Sequence, residues 1–234
     1  MPQRLWFLDT ARTLALLGMI IFHFTYDLEM FGVLAQGTAS SGFFWYFARA
    51  VAGSFLALAG ASLWLAHGQG MRWPGFWRRW LKLALAAALV SLATRLAMPE
   101  VWVFFGILHA IALFSLIGLV FLRLPGIATV GVGLAIILAS PHLAQALQWN
   151  AGPLRFLGLG TLPSYTVDFE PVFPWLGPFL IGLGLARLTA PWHPALARLT
   201  GPPWLAWPGQ HSLAIYLLHQ PLLIGLLQIW LIMT

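Results

Sequence analysis

The sequence predicts an all-α polytopic integral membrane bundle of about seven transmembrane helices, N-in and C-out, and three observations carry that reading. Of 234 residues, 60% are hydrophobic and only 8% are charged, against roughly 25% charged in soluble domains. Apolar stretches approaching the ~20 helical residues that cross a bilayer core recur from end to end. These stretches run continuously instead of alternating, which is the pattern of helices and not of barrel strands. A single domain over residues 1–234 is expected, with no separate soluble module.

In order, the expected spans are Leu5 to Tyr26, Gly42 to His67, Trp80 to Ala97, Val101 to Leu122, Gly126 to Leu143, Val172 to Leu188 and His211 to Leu231. The first carries Asp9 and Arg12 and no small-residue cleavage site, so it is expected to be a retained span and not a signal peptide. With the N-terminus inside, Arg4, Arg12, Arg72, Arg78, Arg79, Lys82, Arg123, Arg187 and Arg198 lie on or near the inner side. Arg49, Arg95 and Arg155 fall on the outer half, and this bias sets the orientation. The longest loop, about Pro141 to Pro171, is then external and has the composition of a cap over a cavity.

The absence of cysteine excludes disulfides and thiolate metal sites. A net charge of +6 could suggest nucleic acid, but the cations lie between apolar spans. Anionic lipid head groups and an anionic substrate are the expected partners instead.

An ionisable side chain within the hydrocarbon costs at least ~2.5 kcal/mol, so each one needs a partner or a purpose. Asp9 and Arg12 share a helix face and can neutralise each other near the inner boundary. His23 and Asp27, four apart, also share a face; a carboxylate beside an imidazole fixes its tautomer and prepares a general base. The competing reading for His23 is a ring that reaches the outer interface. Arg49 either pairs with Asp27 or another outer carboxylate, or presents a cation to substrate.

His109 in Gly106-Ile-Leu-His109 and His219 in Tyr216-Leu-Leu-His219-Gln220-Pro221 each lie about 12 Å from the side their span enters, which is near mid-membrane. Pro221 frees the Leu217 carbonyl, so an irregular hydrated cavity is expected there. The basic and aromatic inner loop with Arg72, Arg78, Arg79 and Lys82 reads either as a head-group anchor or as a phosphate-binding entrance for a cytoplasmic cofactor.

Several of these segments resemble one family. Leu8-Asp9-Thr-Ala-Arg12, Met19-Ile-Ile-Phe-His23-Phe-Thr-Tyr-Asp27, Gly106-Ile-Leu-His109, Val167-Asp168-Phe-Glu-Pro-Val-Phe-Pro174-Trp175-Leu-Gly177 and His211-Ser-Leu-Ala-Ile-Tyr216-Leu-Leu-His219-Gln-Pro221 are similar to the bacterial relatives of heparan-α-glucosaminide N-acetyltransferase. The resemblance implies a multi-span enzyme that moves acetyl from cytoplasmic acetyl-CoA to a sugar amine or hydroxyl across the membrane. His219 matches a last-span histidine of the eukaryotic enzyme, and His23 matches the position of a functional first-span histidine in related membrane acyltransferases. The eukaryotic enzyme carries Asn where His23 stands, and heparan itself is not the expected acceptor.

The expected catalytic residues are His23, oriented by Asp27, with Arg49, His109 or His219 stabilising the oxyanion. The expected acetyl-CoA-binding residues are Arg72, Arg78, Arg79 and Lys82, together with Asp9 and Arg12. No metal is expected. Expected partners are membrane lipids, acyl-CoA and a sugar or glycan-like acceptor; a homodimer is an admissible assembly, and the location is the bacterial inner membrane. Two other classes stay open at this point: a redox protein holding haem between intramembrane histidines, and a transporter or lipid-binding scaffold without acyl transfer.

Overall fold

A computed structural model describes residues 5–162 and 164–233; Arg4, one of the expected inner cations, lies outside the described residues. Continuous apolar runs form helices because a helix bonds its own backbone without water, and the chain is all-α. The helices are α1 (Trp6–Met30), α2 (Gly42–His67), α3 (Trp73–Ala97), α4 (Ile107–Phe121), α5 (Gly126–Leu147), α6 (Val172–Leu188), α7 (His193–Leu196), α8 (Pro203–Gln210) and α9 (Ser212–Met233). Five of them, α1, α2, α3, α5 and α9, are long and apolar enough to cross a membrane, and α6 with its bent continuation to Leu196 makes six.

Several boundaries differ from the sequence reading; α1, for one, continues past Tyr26 to Met30. The stretch read as an inner loop at Arg72–Lys82 is the start of α3, because Pro74 stands in the first turn, where a missing N–H costs nothing. Helix α5 runs through Pro141 to Leu147, so the long loop that follows begins only after it. Helix α4 is 15 residues long, about 22 Å, because residues 101–105 are extended and pair with 166–170. The Val167 N–H donates to the Val101 carbonyl at 3.0 Å and the Glu170 N–H to the Phe105 carbonyl at 3.2 Å.

The described residues divide into two compact units, one within residues 56–192 and the other of residues 5–55 with 193–233. The first unit packs α5 on α6, α4 on α3 and α4 on α6. Its core is Phe114, Phe179, Leu180 and Leu183, all fully buried. A Cβ on Gly182 would collide with the Ala57 backbone of α2, so glycine sets the closeness of that crossing.

The second unit packs α1 against α8 and α9. Asp9, Thr13, Leu16, His23 and Asp27 fall along one stripe of α1, and Asp9 and Asp27 are five turns apart on the same line. The N-terminal half of that stripe meets α8. Thr13 Oγ1 donates to the Leu205 carbonyl at 2.6 Å and accepts the Gly209 N–H at 2.9 Å. A Cβ on Gly209 would strike the Asp9 carbonyl. Gly209→Leu is expected to break the α1–α8 contact and lower the detergent-solubilised melting temperature by several degrees, whereas Gly75→Ala, where a Cβ meets open space, is expected to leave it unchanged.

Candidate active site

Helix α1 brings His23 and Asp27 to one face, and α9 meets that face with His219 and Gln220. The His23 and His219 rings touch edge to face with centroids 5.0 Å apart. Next to them, Gln220 Nε2 donates to Asp27 Oδ1 at 2.6 Å. Asp27 is fully buried, and His219 is 8% exposed.

The tautomer of His219 follows from its partner. Nδ1 lies 2.6 Å from the Tyr216 carbonyl; a carbonyl only accepts, so Nδ1 carries the proton and Nε2 presents a lone pair. That Nε2 is buried and has no hydrogen-bond partner. An imidazole oriented through one nitrogen and bare at the other is the arrangement a general base needs.

Asp27 does not orient His23, as the i, i+4 spacing had suggested. Its carboxylate goes to Gln220, and among the described residues His23 has only ring contacts, with Phe22 at 5.5 Å and with His219. The tautomer in this site is instead fixed on His219, by a carbonyl three residues earlier on its own helix. Gln220 is the residue the sequence reading passed over, since a neutral amide costs less in a span than a charge and drew no attention there. Helix α9 continues through Pro221, so the proline does not break it.

His109 belongs to the other unit and has a different use. It lies in the first turn of α4, because that helix begins only at Ile107, and is therefore not midway along a span. Its Nδ1 accepts the Gly106 N–H at 3.2 Å, which leaves Nε2–H to donate to Ser91 Oγ at 3.1 Å. Ser91 Oγ in turn donates to the Val103 carbonyl at 2.6 Å. Both ring nitrogens are satisfied. Asp168 completes this end by accepting the Ile107 N–H at 3.0 Å, an anion at a helix N-terminus.

Arg49 lies in the N-terminal half of α2 with its guanidinium 3.5 Å above the Trp45 ring and a hydrogen bond to the Trp45 carbonyl at 3.3 Å. Asp9 and Arg12 form the expected ion pair, and Gln210 Nε2 reaches the second Asp9 oxygen at 3.3 Å. Arg72 donates to the Ala66 carbonyl at 2.9 Å, and Arg78, Arg79 and Lys82 are exposed on the first turns of α3. Among the described residues no group of three or more His, Cys, Asp or Glu is placed to hold a metal ion. Rings in edge contact also leave no slot for a haem between His23 and His219.

These features define a helical membrane protein with an imidazole pair held by α1 and α9. Residues 4–221 match the family model described as heparan-alpha-glucosaminide N-acetyltransferase, catalytic. The chain belongs to that family, which makes it a membrane acetyltransferase in class. No curated protein and no solved structure matches it.

The two histidine environments separate by experiment. His109→Ala should lower thermal stability by several degrees, since it strips the Gly106 N–H and Ser91 of a buried partner, and His109→Asn should recover part of that loss in a melting assay.

Proposed function

We propose that this protein transfers an acetyl or other acyl group from acyl-CoA to a hydroxyl or amine of a sugar-type acceptor, with the His219 and His23 pair as its catalytic centre. The observation that carries the reading is the bare, buried Nε2 of His219 on a ring whose proton is held at Nδ1 by the Tyr216 carbonyl. Family membership supports the same chemistry.

In this reading His219 Nε2 takes the proton from the acceptor hydroxyl or amine as the acceptor attacks the thioester carbonyl. A tetrahedral oxyanion forms, and an N–H of the adjacent His23 stabilises it. Collapse expels the CoA thiolate, and the proton on His219 Nε2 passes to that sulfur, so the base is restored and the products are the acylated acceptor and CoA thiol. Water in place of the acceptor gives slow thioester hydrolysis by the same steps.

For the donor's phosphates we assign Arg72, Arg78, Arg79 and Lys82, the cations at the start of α3. Guanidinium pairs suit phosphate oxygens, and an exposed helix start leaves them accessible. Asp9 and Arg12 are engaged with each other and with Gln210, so their part in the reading is to hold α1 to α8. Asp27 contributes through Gln220, while Arg49 and His109 support the scaffold around their own helices. The proposal includes a bacterial cytoplasmic membrane location with the N-terminus inside, a topology favoured by the distribution of Lys and Arg.

Purified protein supplied with acetyl-CoA is expected to consume the thioester. His219→Ala should lower that rate by about 100-fold or more, the range for losing a positioned base, and His23→Ala should also lower it. Full thioester consumption by His219→Ala, or none by the wild-type protein, would contradict the assignment.

A further inference from the structure

Three polar atoms at the α1–α9 contact are buried without a hydrogen-bond partner: Asp27 Oδ2, Gln220 Oε1 and His219 Nε2. All three are acceptors. Asp27 Oδ1 takes the Gln220 amide N–H, so the amide cannot turn to present its nitrogen elsewhere, and Oε1 is the atom left over. The second carboxylate oxygen is left over in the same way. His219 Nε2 accepts because the ring proton is on Nδ1.

A buried acceptor with no donor is unfavourable, and a cluster of them marks a place completed by something that brings hydrogen-bond donors. One donor group, the hydroxyl or amine to be acylated, satisfies Nε2 alone. The other two acceptors belong to the Asp27–Gln220 pair. Asp27 lies four residues beyond His23 on α1, about 6 Å along the axis, while the His23 ring touches that of His219. Asp27 is thus about one helical turn along α1 from the ring that touches the base.

We propose that Asp27 and Gln220 determine acceptor specificity by receiving a second O–H or N–H of the acceptor, carried about 6 Å from the group that His219 deprotonates. This inference rests on the acyl-transfer reading above. The ligand class it selects is a rigid ring bearing donors on opposite sides, and it disfavours a simple alcohol or amine whose remaining surface is apolar. Asp27 Oδ2 and Gln220 Oε1 only accept hydrogen bonds; no covalent bond changes at either residue.

Two matched probes test it: cyclohexylamine, and trans-4-aminocyclohexanol, which adds one hydroxyl across the same ring. With acetyl-CoA as donor, the wild-type protein should favour the amino alcohol in kcat/KM by about tenfold or more, as expected when a buried pair of acceptors goes unmatched by the simpler amine. Asp27→Asn keeps an oxygen for the Gln220 amide and replaces Oδ2 by an N–H donor, so the preference should collapse. Gln220→Met, which removes the amide altogether, should collapse it too. A purely structural role for the pair lowers activity on both probes alike and leaves their ratio unmoved, and that result overturns the inference. So does a wild-type ratio near one, or consumption of acetyl-CoA with neither probe acetylated. If the wild-type protein consumes no acetyl-CoA at all, the acyl-transfer reading fails and this inference falls with it.

Discussion

The polar stripe on α1 is the constraint from which the second unit follows. A membrane-spanning helix cannot leave carboxylates, a hydroxyl and an imidazole facing hydrocarbon, yet α1 carries Asp9, Thr13, His23 and Asp27 along one line. Each is answered from the last part of the chain. Gln210 reaches Asp9, the Leu205 carbonyl and the Gly209 N–H hold Thr13, His219 meets His23, and Gln220 holds Asp27. The short helix α8 and the long helix α9, joined at His211, therefore meet α1 at the two ends of its stripe. The site is positioned by the same contacts that make the unit stable, which is why its geometry is fixed before any substrate arrives.

The two histidines singled out beside His23 show how environment separates a ring with a bare nitrogen from one with both nitrogens engaged. His109 has a donor on one nitrogen and an acceptor on the other, both supplied by its own unit. It closes the first turn of α4 and holds the extended segment above it through Ser91. His219 has one nitrogen bonded and the other bare. Residue type and apparent depth were the same in the sequence; the count of satisfied nitrogens differs, and that count decides which ring can accept a proton.

Much of the architecture was legible because hydrocarbon imposes long continuous apolar runs. The bounds of α2 and α6 coincide with the sequence reading, and the pairing of Asp9 with Arg12 follows from a spacing of three. The misplaced boundaries have local causes. Arg72 to Lys82 read as a loop although Pro74 stands at a helix start, and Val101 to Phe105 looked like span although it bonds to residues 166–170. The partner of Asp27 could not be read at all. His23 was the nearest polar neighbour in sequence, whereas the true partner is an amide 193 residues away, and no local pattern encodes a contact at that separation. The family motifs include the two segments that meet, His23 to Asp27 and Tyr216 to Pro221, without saying which atoms in them touch.

The central claim is that His219 presents an unprotonated, unpartnered Nε2 beside the ring of His23. Nitrogen-15 NMR on histidine-labelled protein in lipid bilayers, with the His219 signals assigned by their loss in His219→Gln, reads that state directly. The account predicts a neutral ring with its proton on Nδ1, an Nε2 shift of the unprotonated type, and through-space contact with the His23 ring. A His219 signal showing the proton on Nε2, or no contact between the two rings, would contradict it.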